Sequence, residues 1–195
     1  MRAMHFPYQT DVVSEKQFET HLSLYQKSAD AADNIQAALQ PQLWPSANSL
    51  DSEYRALRKE QAYALNSVTL HEAYFRNITR NGGQPGESTL QLLQAGFGSF
   101  ESWRADFTAC ALSARGWCVT AYHQRTHETL NNLMDAHDAG PLVLAFPLIV
   151  LDMYEHAYFI DDGADKAAYI ARFIDGIDWQ IVEARAWAVA SAIDE

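Results

Sequence analysis

The sequence predicts an α+β protein: a long N-terminal α-helical hairpin, followed by a mixed lobe with a small three-stranded antiparallel sheet flanked by helices. Three observations carry this expectation. Residues 14–40 and 51–79 repeat apolar side chains at three- and four-residue steps, the spacing of one helix face. The pattern changes after Gly86, beyond a Gly/Pro stretch at 82–86. Three short apolar runs then follow, each bounded by turn-forming residues. The expected division is a helical-hairpin domain over 1–84 and an α/β domain over 85–195.

Taken in order, Ser14 with Gln17 three residues later is a capping-box signature that opens the first helix. Phe18, His21, Leu22, Tyr25, Ala29, Ala32, Ile35 and Leu39 form its apolar stripe, and Pro41 and Pro45 end it. The second helix enters through Asn48-Ser49-Leu50-Asp51. Its inner stripe reads Leu57, Leu65, Val68, His71, Phe75 and Ile78, and Asn81-Gly82-Gly83 stops it. Two long helices joined by a Pro-containing loop make an antiparallel hairpin. Each then brings one histidine to its buried side.

Ser88 to Ala95 reads as a helix broken at Gly96-Phe97-Gly98, and Ser99 caps another that carries Phe100, Trp103 and Phe107. The strand-like runs are Trp117 to Tyr122, Thr129 to Asp135 and Leu142 to Leu151. Their short connections, Arg125-Thr126-His127 and His137 to Pro141, predict an antiparallel meander. Helices over roughly 164–174 and 178–193 close the chain.

Composition removes several function classes. Hydrophobic residues make up 48% of the 195 and charged residues 20%, ordinary for a globular chain. The net charge of −11, with no long basic cluster, argues against nucleic acid and against an anionic membrane surface. No apolar run approaches the roughly 20 residues of a membrane span. The start, Met1 to Tyr8, lacks the apolar core of a signal peptide. Cys110 and Cys118 suggest neither a disulfide framework nor a zinc site. A reduced, cytoplasmic setting is the expectation.

The chemistry concentrates at Asp152-Met153-Tyr154-Glu155-His156, where two carboxylates and an imidazole follow the apolar run Leu142–Leu151. A buried Asp or His without a partner costs several kcal/mol, so either a hydrogen-bond network or a metal ion must compensate. His21 and His71 are the other interior residues of ligand type. Three nitrogens and one carboxylate suit Fe, Mn or Zn, with a coordination position left open.

These residues also carry a resemblance. Asp152-Met153-Tyr154-Glu155-His156-Ala157-Tyr158 resembles the Asp-x-Trp-Glu-His-Ala-Tyr signature of the iron/manganese superoxide dismutase family. Phe6-Pro7-Tyr8, Phe97-Gly98-Ser99-Phe100, Gly116-Trp117, Ile177-Asp178-Trp179 and His71 with Tyr74-Phe75 support it. The resemblance implies one Fe or Mn ion per chain held by His21, His71, Asp152 and His156, with superoxide as substrate. It also implies a homodimer joined through Glu155 and His156. Protons arrive through metal-bound solvent, tuned by a Gln or His in the pocket. The helix position for that residue is Ser67, too short, which leaves His137 or its neighbour Asp138. Trp117 is a retained pocket residue.

Several positions depart from the family. Tyr25 stands where the gateway His is expected, Ala29 where the gateway Tyr is, and Phe159 where the Tyr that pairs with that His across the dimer is. Phe75 and Tyr154 replace pocket tryptophans, and Leu24 and Asp165 replace residues that are usually basic. Ala29 is expected to widen the pocket. Three functions follow: dismutation of superoxide through an altered entrance, a metal-binding homodimer of the same fold without turnover, or a different metal-dependent reaction in the widened pocket.

Overall fold

The computed structural model describes residues 3–41 and 43–193; the ends of both expected domains, residues 1, 2, 194 and 195, lie outside the described residues, as does residue 42. Helix α1 spans Glu15–Ala38 and α2 spans Glu53–Asn77. Ser14 caps α1 by accepting from the Gln17 N–H, and Ser52 caps α2 by accepting from that of Arg55. The two pack as the expected hairpin. Phe18, His21, Tyr25, Ala29 and Ala32 are buried on α1, and Val68, His71 and Phe75 on α2.

Leu65 corrects the expected inner stripe of α2. It is 40% exposed, while Ala64 is buried. The true buried line runs Ala64, Ser67, Val68, His71, Phe75, and Leu65 sits one position round the helix from it.

Helix α3 spans Glu87–Phe97 and α4 spans Phe100–Ser113. Gly96 does not break α3, as the sequence suggested; it lies inside it, and the helix closes at Gly98, whose φ of 82° is left-handed. Gly96 is needed for a different reason. A Cβ there would stand 2.2 Å from the backbone oxygen of Thr129 in the sheet. Gly96→Ala is therefore expected to lower stability by about 1–3 kcal/mol through overpacking. A thermal melt reads this as a loss of several degrees, and an unchanged melting temperature refutes the close approach.

The three strands are β1 Trp117–His123, β2 Glu128–Met134 and β3 Ala145–Asp152. All pairings are antiparallel, as expected, but the order is β2-β1-β3, not the meander. The burial pattern explains why. β1 is buried at six consecutive positions and takes the centre, whereas β2 carries Glu128, Asn131 and Asn132 and stays at an edge. Pro147 on β3 lies where the register slips between Thr120 and Ala121, a bulge on the other edge that tolerates a missing N–H.

Residues 142–144 are not part of β3. Val143 is 81% exposed and Leu144 has a φ of 62°, so the segment turns before the strand begins. After β3 come a single 3-10 turn (Glu155–Ala157), α5 (Phe159–Asp162), α6 (Lys166–Asp175) and α7 (Trp179–Ile193). No helix among the described residues is long and apolar enough to cross a membrane.

The strand order positions the site. With β1 central, Trp117 pairs with Asp152 on one side and Met134 on the other. The ends of β2 and β3 thus flank the same tryptophan. In a meander, β2 would separate β1 from β3, leaving Trp117 about 9–10 Å from Asp152.

Candidate metal centre

His21 of α1, His71 of α2, Asp152 at the end of β3 and His156 in the following turn bring one ligand-type atom each within 4.8 Å of one another. Asp152 Oδ2 is the common point. It lies 3.0 Å from His21 Nε2, 3.6 Å from His71 Nε2 and 3.4 Å from His156 Nε2. Asp152 and His156 are four residues apart, and a strand end and a tight turn bring them together.

Each group is oriented from behind. Asp152 Oδ1 accepts the Tyr154 N–H at 2.9 Å. His71 Nδ1 donates to the Ser67 carbonyl at 2.7 Å, which leaves its Nε2 as a free lone pair. Ser67 Oγ, too short to reach the centre, instead donates to Ser28 Oγ at 3.0 Å and ties α2 to α1.

Gln17 departs from the capping box. Its backbone N–H completes the cap at Ser14, but its side chain turns to the site. The amide nitrogen donates to the His156 carbonyl, and the amide oxygen accepts from the Ile160 N–H at 3.0 Å. The Ser14 N–H is satisfied by Asp161 instead. Gln17 therefore fixes the turn that presents His156. Gln17→Ala should cost about 1–3 kcal/mol by stranding two backbone groups, and weaken metal affinity about tenfold or more. Titration of the metal-free variant with Fe(II) or Mn(II) checks this; unchanged affinity would remove Gln17 from the site.

Electrostatics agree with ligand protonation states. Burial pushes His21 down, and pushes His71 down to about 3, so both are neutral bases near pH 7. Burial pushes Asp152 up, but the adjoining His156 imidazole and the His21 hydrogen bond outweigh it and hold the carboxylate well below its usual range. Hydrogen bonding alone leaves this cluster incomplete. His71 Nε2 and His156 Nε2 are buried with no aligned partner, at about 1–3 kcal/mol each. A cation facing Asp152 would satisfy both, and His71 already shows the backbone-bonded second nitrogen usual for a ligand. These residues fit a metal ion.

The remaining expected residues divide. Trp117 is fully buried; its indole N–H donates to His137 Nδ1 at 2.9 Å, and its ring meets His71 edge-on at 5.1 Å. His137 is 6% exposed and packs 5.7 Å from the His71 ring, whereas Asp138 is exposed. Because Nδ1 accepts, neutral His137 carries its proton at Nε2. Burial lowers its pKa.

The Tyr25 hydroxyl is used away from the cluster. It accepts the Met4 N–H at 2.7 Å and donates to Glu72 at 2.8 Å, and burial pushes its pKa up to about 12. Ala29 is 1% exposed in the core, so the room expected there is closed to solvent. Asp165 caps α6, and its neighbour Lys166 lines an open cavity of about 440 Å³ with Arg115, Tyr154, Glu155 and His156. Gln17 and Tyr63 are the site residues that sequence reasoning missed. Tyr63 meets the His137 ring edge-on at 4.6 Å. The i, i+4 and i, i+8 spacing from Tyr63 through Ser67 to His71 was the available signal.

The comparisons agree with this architecture. The family model of the C-terminal domain of iron/manganese superoxide dismutases matches residues 85–185. The chain is 33% identical over 184 residues to an iron superoxide dismutase of Aquifex pyrophilus, covering 92% of this chain and 86% of that protein. It is 37% identical over 127 residues to an iron superoxide dismutase of Cupriavidus metallidurans, 64% of each chain. With a manganese superoxide dismutase of Halobacterium salinarum it shares 34% identity over 126 residues, 60% of this chain and 63% of that one. A match of this extent, on a fold that gathers three imidazoles and one carboxylate at a single point, shows that the chain belongs to the iron/manganese superoxide dismutase family.

Proposed function

We propose that this protein is a superoxide dismutase with one Fe or Mn ion per chain, held by His21, His71, Asp152 and His156. The observation that carries the reading is the convergence of four ligand-type atoms on one point where two buried imidazole nitrogens have no partner. A bound Fe or Mn ion supplies the one-electron couple that oxidises one superoxide to dioxygen and reduces the next to peroxide.

The chain's own residues account for the rest. The Ser67 carbonyl keeps the His71 Nε2 lone pair available, and Asp152 balances the ion's charge. His137 holds a proton at Nε2 beside the cluster, secured by Trp117. Burial pushes the Tyr154 hydroxyl up to about 12, so it also stays protonated. Despite the net charge of −11, Arg115 and Lys166 outnumber Glu155 along the cavity that reaches the exposed flank of His156, a local attraction for a small anion.

We read the assembly as a homodimer in which Glu155 reaches the partner subunit's His156. Glu155, Phe159 and Ile160 are all exposed around the same turn. The lobes 1–84 and 85–195 and the cytoplasm belong to the same reading, the latter supported by two free cysteines.

A second reading, a metal-binding dimer without turnover, draws on Tyr25, whose hydroxyl is occupied by Met4 and Glu72. Metal analysis and a superoxide-consumption assay on one preparation separate the two. Stoichiometric metal with consumption faster than the free ion supports the first; metal without turnover selects the second.

A further inference from the structure

One face of α2 does more than supply His71. His137 sits in the turn between β2 and β3, which backbone bonds from the Asp135 N–H to the Ala139 carbonyl and from the Ala139 N–H to the Ala136 carbonyl close. Side chains hold its own carbonyl and imidazole. Asn66 Nδ2 donates to the His137 carbonyl at 2.9 Å, and Trp117 donates to its Nδ1 at 2.9 Å. Tyr154 packs 5.2 Å from the imidazole, and Tyr63, one turn before Asn66, meets it edge-on at 4.6 Å with an interplanar angle of 74°. Tyr63 is 39% exposed while His137 is 6% exposed, so this contact joins a solvent-facing ring to a buried one.

We propose that Tyr63 is a positioning residue whose ring, pressed edge-on against His137, keeps water from the Trp117–His137 hydrogen bond and holds the loop imidazole beside the candidate metal ligands. An imidazole on a turn has two side-chain torsions to lose, and water competes for an exposed acceptor nitrogen. Packing a ring against one edge limits both. The contact with His137 is made between rings, at 4.6 Å and a steep angle, so a phenylalanine ring should keep it and alanine should not. The catalytic consequence rests on the dismutase reading; the positioning itself does not.

The test uses the full chain, metal-free and iron-loaded. In the metal-free protein, NMR follows hydrogen exchange of the Trp117 indole N–H in wild type, Tyr63→Ala, Tyr63→Leu and Tyr63→Phe. Alanine is expected to accelerate exchange about tenfold or more by local opening, and phenylalanine to stay within about twofold. Leucine, which keeps apolar bulk without a ring edge, should also accelerate it and serves if the alanine variant does not fold. In the iron-loaded protein, Tyr63→Ala should change azide affinity by severalfold at unchanged iron content. Wild-type exchange in both Tyr63→Ala and Tyr63→Leu overturns the proposal, as does a Tyr63→Phe variant that exchanges like alanine. Accelerated exchange in variants of a protein that never consumes superoxide would sink the dismutase reading and leave the positioning role standing.

Discussion

Replacing His71 by alanine is expected to abolish metal uptake and superoxide consumption together. His71 is the one candidate ligand on α2, and its Nε2 is buried, unpartnered and 3.6 Å from Asp152 Oδ2. Removing a residue that merely supports a ligand typically costs 10–100-fold in affinity, so removing the ligand itself should exceed about 100-fold. Elemental analysis should then find little iron or manganese, and consumption should fall to that of the free ion. The fold should survive, because Val68, Tyr74 and Phe75 still bury the same helix face; circular dichroism checks this. His137→Ala is the contrast. It should keep stoichiometric metal and lose most turnover, since His137 bonds to Trp117 and to none of the four ligands. A His71→Ala protein that still holds one ion per chain would disprove the proposed ligand set.

The metal-free protein should lose stability steeply as pH falls from about 6.5 to about 4.5. The sign follows from the imidazoles. Burial depresses His71 to about 3 and lowers His21 as well, so over this window the unfolded chain takes up protons that the folded chain refuses. Stability is lost at about 1.4 kcal/mol per pH unit for each such group, or about 3 kcal/mol from His71 alone over two units. Asp152 acts in a different window. Its folded pKa is depressed, so its contribution is present above about 4 and fails only in stronger acid. Urea unfolding of chelator-treated protein at several pH values reads the slope. A flat profile from 6.5 to 4.5 would show that the histidines are not buried as neutral bases.

Local chemistry made the helices and the ligand types legible. The 3.6-residue spacing placed α1 and α2 within a few residues, because one apolar face must be buried whatever it meets. His21 and His71 could be assigned to those faces from neighbours in sequence. Partners were not legible. Ser14-x-x-Gln17 matched a capping box, yet Asp161, 147 residues away, satisfies the Ser14 N–H and releases Gln17 to hold His156. The choice between His137 and Asp138 depended on how one turn packs against Asn66 and Trp117. A loop alignment contains neither contact.

By itself, then, the sequence determined which segments are helical, which residue types are available to hold a metal, and that the chain resembles one family over nearly its whole length. Only the tertiary structure decided the strand order, the closure of the core at Ala29, the occupation of the Tyr25 hydroxyl, and the contact of the Tyr63 ring with His137. The physical reason is range. Helix periodicity is written in neighbours three or four positions apart, whereas strand pairing and polar satisfaction are settled between groups tens of residues apart, by whichever partners remove the most apolar surface and strand the fewest hydrogen bonds.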